Sequence, residues 1–303
     1  MAGRNPLARM RSGLFGNHNF RMLWTAATVS AFGFYITDIA IPLLAIDQLD
    51  ATSFEVGLIK VVEQAPSLLF GLFLGVLVDR VRKRQLLILA DVVRSAALMA
   101  VPISAALGHM SLALLLAVVF IVGTFNLLFD VAEGSFVPLV LGRDQLVDGN
   151  SKIEASYASA QLGGPAIGGA LVSLLTAPYA LLVTAVTLFS SARLIQRMTV
   201  VEHPVVVENR PSVMHDVKEG LRYLWGNRYM RPVVLAGAGQ SFFGFMFMAV
   251  YILYMKRELG ISNFQVGLVF AFGGLGSLIG TLLTPRLNAK FGFGTLEQPQ
   301  VPA

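Results

Sequence analysis

The chain has 303 residues, a mean hydropathy of +0.68, 55% hydrophobic residues and only 14% charged ones, against about 25% charged in a soluble globular domain. That balance excludes an ordinary soluble enzyme. The net charge of +5 invites a nucleic-acid partner, but apolar runs of about 20 residues, each able to cross about 30 Å of hydrocarbon as a helix, give the charge another meaning.

In hydrocarbon every backbone polar group needs an internal partner, so only helices or closed barrels span a membrane. The runs are too long and too evenly apolar for the alternating strands of a barrel, and the expected fold class is an all-α membrane protein. Residues 1–20, MAGRNPLARMRSGLFGNHNF, are polar and basic with no separate apolar core or small-residue cleavage site. They are expected to form a cytoplasmic arm before a retained first span.

Spans are expected at 21–46, 54–78, 85–107, 110–132, 153–175, 178–198, 232–256 and 264–286. With the N-terminus inside, nineteen of the 23 Lys and Arg fall on one side. Only Lys256 and Arg257 fall on the other, and Lys60 and Arg94 lie within spans. This asymmetry predicts a multi-pass protein of a bacterial inner membrane or plasma membrane, with both termini cytoplasmic. No cysteine is present, which excludes disulfides and thiolate metal sites. His18, His109, His203 and His215 lie at or beyond span ends, and neither a metal nor a cofactor is expected.

Span one carries Thr28, Tyr35 and Asp38 on one stripe, and span two carries Lys60, Glu63, Gln64, Ser67 and Gly71. Asp38, Lys60 and Glu63 lie roughly 9–13 Å below the outer surface at about 1.5 Å per residue. Ionisable groups inside a membrane cost about 2.5–3.5 kcal/mol each on insertion scales and default to a functional reading. Asp38, Lys60, Glu63 and Gln64 are therefore candidates for coupling or for lining a pathway. The plainer alternative is a Lys60–Glu63 pair at i,i+3 with Lys60 snorkelling outward.

The turn after span two reads GVLVDRVRKR at 75–84. Asp91 and Arg94 in span three, with Asp130 and Glu133 at the end of span four, are candidates for an inner gate joined to that basic turn; a structural ion-pair network is the alternative. Asn126, Gln161 and Gln240, with Phe32, Phe129 and Tyr251, are candidate cavity residues. Span five carries Gly163, Gly164, Pro165, Gly168 and Gly169. Its small residues permit close helix contact, and Pro165 removes a ladder donor. Gly273, Gly274, Gly276 and Gly280 in span eight are the expected facing set.

Five regions follow: the arm at 1–20, a six-helix bundle at 21–198, a cytoplasmic linker at 199–231, a partial second bundle at 232–286 and a tail at 287–303. In the linker, Val213, Val217, Leu221 and Leu224 recur at helical spacing opposite Asp216, Lys218, Glu219 and Arg222. Ser212 is a candidate cap; the helix most simply lies on the membrane surface, and the plainer alternative is a linker without further role. FEVGL at 54–58 returns as FQVGL at 264–268, a repeat spanning six helices that predicts two parallel halves.

NHNFRMLW, IPLLAIDQL, VGLIKVVEQAPSLLFGLFLGVLVDRVRKR, FDVAEGSFVPLV, QLGGPAIGG and VKEGLRYLWGNRYMRPVVL occur in that order between Asn17 and Gly294. Together they resemble the major facilitator superfamily, within it the bacterial exporters of drugs, macrolides and siderophores. The resemblance implies a helical bundle with a complete N-terminal half and, here, two helices of the C-terminal half. The family has twelve spans, and TLEQPQVPA after Gly294 is unlike a ninth span, so a truncated transporter is expected. It also implies that Gly75, Asp79, Arg80, Arg82, Lys83 and Arg84 form the family's signature cytoplasmic loop, with Asp79 as a latch residue whose partner lies in a later span; the plainer alternative is a basic topology signal. Gly163 to Gly169 would be its antiporter-like packing motif.

The function implied is secondary active export of small amphipathic compounds by proton antiport, since a carboxyl held from water, such as Asp38 or Glu63, is suited to exchanging protons. The alternative is a non-transporting membrane protein, inert or a helix-packing partner. The expected partners are membrane lipid, a small amphipathic substrate and protons, with no nucleic acid. No phosphate-binding loop, nucleophile elbow or metal spacing supports an enzyme.

Overall fold

A computed structural model describes residues 14–200, 202 and 213–275. It is all-helical: α1 (His18–Leu49), α2 (Ser53–Arg80), α3 (Lys83–Ala106), α4 (Leu112–Val140), α5 (Leu146–Leu175), α6 (Ala177–Gln196), α7 (Val213–Gly226), α8 (Met230–Arg257) and α9 (Asn263–Leu275). Among the described residues, α1 to α6 are long and apolar enough to cross a membrane. The expected linker helix is α7; Ser212 and residues 276–286 of the expected eighth span lie outside the described residues.

Local signals set the helix ends. The Asn17 side chain accepts from the Asn19 and Phe20 amides at the start of α1, filling donors that have no intrahelical partner. Thr52 and Glu55 form a reciprocal capping box on α2, an N-terminal lock that needs no tertiary partner. α3 has no side-chain cap of its own. Its Lys83 and Arg84 amides donate to the Glu202 carboxylate at 2.7 and 2.9 Å, where the helix dipole favours an anion.

Two helices run well past their expected spans. α4 continues to Val140 and α5 begins at Leu146, although hydropathy falls at Asp130 and at 146–152. The helical ladder satisfies its own backbone on either side of the lipid boundary, so polarity ends the apolar run without ending the helix. As a result Glu133 lies inside α4 and not at its end.

The first six helices form an arc in the spatial order α2, α4, α3, α6, α1, α5, with α8 packed on α2. α9 packs on α5, where Gly169 and Gly267 face each other's backbone. Two apolar cores hold the arc. One, at the end bearing the α1–α2 turn, joins Leu43, Leu44, Ile59, Leu98 and Leu181 to Ile252, Met255 and Val266 of α8 and α9. The other, at the end bearing the basic α2–α3 turn, joins Phe20, Leu23, Leu87, Phe129, Phe136 and Ile195 and, among the described residues, takes nothing from α8 or α9. Among the described residues α8 and α9 thus join the apolar core of the arc at the end away from the basic turn.

Candidate functional site

Three helices present polar stripes to the inside of the arc. They are Ser30, Phe34 and Tyr35 on α1; Asn126, Asp130, Glu133, Gly134 and Val137 on α4; and Asn150, Ile153, Glu154 and Tyr157 on α5. Steps of three and four residues keep each set on one helix face. With Arg94 of α3 they line a cleft of about 480 Å³. The deepest part of its wall is ionic. Arg94 and Asp91, both buried, form an ion pair; Arg94 also donates to Asn126 Oδ1 at 2.6 Å and Ser30 Oγ at 3.2 Å. Its guanidinium lies 4.5 Å from the Phe129 ring centroid. Glu133 is buried and accepts from the Tyr157 hydroxyl.

A second ionic group lies between α1 and α2. Lys60 is 4% exposed and bridges two carboxylates, Asp38 and Glu63, the latter at 3.0 Å. Lys60 therefore points inward and does not snorkel, because two acids supply what water would otherwise provide. Gln64 is half-buried beside them in sequence.

Arg84 of the α2–α3 turn reaches the end of α6. Arg84 donates to the Ile195 carbonyl at 3.1 Å and to the Gln196 carbonyl, which draws the turn onto the end of α6. None of Arg82, Lys83 and Arg84 pairs with Asp130 or Glu133 among the described residues. Among the described residues the acids face the inside of the arc, while Lys83 and Arg84 are held by Glu202 and the end of α6. Asp79 is exposed, and Gly75 has open space where a side chain would sit.

The span-five glycines work in two directions. Cβ atoms at Gly163, Gly164 and Gly168 would meet Phe32, Tyr35 and Ile36 of α1, the second at 2.5 Å and the third at 3.2 Å. One at Gly169 would meet the Asn263 carbonyl at 2.5 Å, and one at Gly267 the Pro165 carbonyl at 2.4 Å. The facing set on α9 is Gly267 and Gly274; Gly273 touches nothing within 4 Å, and Gly276 and Gly280 lie outside the described residues. The spacing of seven between Gly267 and Gly274 marks one helix face and was the available signal.

At the same end, residues that sequence reasoning did not select tie the later helices to the arc. Lys256 pairs with Asp47 at 3.0 Å, Asn263 donates to Asp47 at 2.8 Å, and Arg257 donates to the Ala51 carbonyl at 2.7 Å. Opposite charges on outer turns, Asp47 against Lys256, were the only hint. Of the expected polar cavity residues, Asn126 lines the cleft, while Gln161 and Gln240 do not.

An all-helical bundle of six spanning helices followed by further helices agrees with the fold that the sequence likeness implied. A family model described as transmembrane secretion effector matches residues 11–297. The chain belongs to that family of the major facilitator superfamily. It is 21% identical over 295 residues to YkuC, an uncharacterized MFS-type transporter of Bacillus subtilis strain 168, covering 92% of this chain and 67% of the relative. It is 21% identical over 187 residues to a second such transporter of that organism, YfmI, covering 60% of this chain and 46% of that one. A crystal structure of a bacterial homolog to the human lysosomal transporter Spinster, inward-facing and unoccupied, superposes with a TM-score of 0.67 at 14% identity. That match covers 90% of this chain and 64% of the other, and it establishes the fold. The chain thus spans two thirds of the first relative and under half of the second.

Proposed function

We propose that this chain carries the path-forming half of a secondary active exporter that moves small amphipathic compounds outward in exchange for protons. The cell membrane holds it, with the basic turns and both termini facing the cytoplasm. The observation that carries this reading is the cleft of about 480 Å³ walled by ionisable side chains of spanning helices, in a family member whose α8 and α9 share an apolar core with the arc at the opposite end. Alternating access then requires the α5–α9 glycine contact and the Asp47–Lys256 tie to release while the basic end closes. Asp38 is the proposed proton carrier, with Lys60 as its counter-charge.

The test is efflux from proteoliposomes under an imposed pH gradient. The expected result is gradient-dependent flux that Asp38→Asn abolishes; undiminished coupling in that variant defeats the proton role. Reporter tags after Leu49 and after Arg84 are expected on opposite sides of the membrane, the second facing the cytoplasm.

A second reading, a helix-packing membrane protein without transport, draws on the open face of α2. There Leu68 is 90% exposed, and Gly71 and Gly75 have nothing within 4 Å. Small residues at this spacing admit a close helix neighbour. Absence of any gradient-dependent flux from the purified protein favours this reading.

A further inference from the structure

The charges in the cleft are unequal. Asp130, Glu133 and Glu154 line it against one cation, Arg94, and that cation is already engaged. Its charge is met by Asp91, its terminal nitrogens donate to Asn126 and Ser30, and only Nε is left without a partner. Glu133 is 5% exposed. One of its oxygens takes the Tyr157 hydroxyl proton, and Oε1 is buried with no partner. Asp130, one turn away on the same face, forms no ion pair among the described residues.

A buried carboxylate oxygen without a donor is unstable as it stands, and a ligand N–H is the group that completes it. An anion would meet three carboxylates in a cavity of low dielectric, where like charges repel strongly. Phe34, Tyr35 and Tyr157 line the same cleft and offer apolar surface with ring faces that attract cations.

We propose that the cleft binds an amphipathic protonated amine. Its N–H donates to Glu133 Oε1, Asp130 balances its charge, and its apolar body rests on Phe34 and Tyr35. This assignment rests on the export reading for the role of the cleft, yet it makes a separate claim about head-group charge.

The test uses one fluorophore with three head groups: a dansyl amide ending in a primary ammonium, its neutral N-acetyl form, and the matching carboxylate. Binding is measured by fluorescence on the full chain in lipid nanodiscs at neutral pH without a gradient, with protein-free nanodiscs as reference. The ammonium probe is expected to bind at least tenfold tighter than either analogue. Glu133→Gln and Asp130→Asn are each expected to weaken it severalfold, and the pair to erase the preference. Equal binding of the neutral or anionic probe overturns the proposal, as does a preference that survives in the double variant. Should a variant fail to fold, the head-group series on the unaltered protein still decides. Selective binding without flux refutes export alone, and flux of the neutral or anionic probe refutes the amine assignment alone.

Discussion

Gly267→Ala is the most direct perturbation of the contact between α5 and α9. The added methyl would stand 2.4 Å from the Pro165 carbonyl oxygen, 3.1 Å from its carbon and 3.2 Å from Ala166 Cα. A carbon–oxygen contact relaxes at about 3.3–3.6 Å, so α9 must retreat by about 1 Å. Every obstructing atom is backbone, and no rotamer change relieves the clash. Overpacking of this kind costs about 1–3 kcal/mol. If it falls on the arrangement in which this end is closed, the equilibrium shifts by about 5–150-fold. The chain has no cysteine, so spin labels on Gln48→Cys and Ser262→Cys report the separation of α1 from α9 without background. The expected result is a broader, longer distance distribution than in the parent. Gly71→Ala, with nothing within 4 Å of its site, is the matched control and is expected to leave the distances unchanged. If both substitutions give the same distances and the same thermal stability, the glycine contact does not hold this end shut.

The buried ion pairs make further predictions. Arg94→Ala leaves Asp91 buried without its counter-ion and is expected to destabilise the protein by about 3–5 kcal/mol in thermal unfolding; Arg94→Met combined with Asp91→Leu is expected to recover most of that loss. Lys60→Met strands two acids, Asp38 and Glu63, and is expected to lower the unfolding temperature, with Asp38→Asn and Glu63→Gln restoring it when combined. The Asp47–Lys256 pair is partly solvated, at 31% and 16% side-chain exposure. Asp47→Asn is therefore expected to open that end by at most about fivefold, roughly 1 kcal/mol after solvent screening, with an effect that fades at high salt in the same spin-label assay.

The amino-acid pattern alone determined that the chain is a bundle of spanning helices, where six of them run, and that residues 163–169 are a close-packing surface. These are properties of short segments: an apolar run must become a helix in lipid, and a glycine-rich stretch invites a neighbour wherever it lies. Caps such as Thr52 with Glu55 are local for the same reason. Which neighbour arrives depends on distant parts of the chain. Lys60 turned inward because Asp38, 22 residues earlier, lies across from it, and Arg84 settled on α6 because Ile195 and Gln196 end there. Gly267 and Asp47 carried only faint marks, a spacing of seven and an opposite charge, and gained a role only when α9 and α8 met the arc. The buried carboxyl of Glu133 belongs here as well. Its place in the cleft required α4 to stay helical past its apolar run and α5 to bring Tyr157 alongside, and only the assembled bundle decides such geometry.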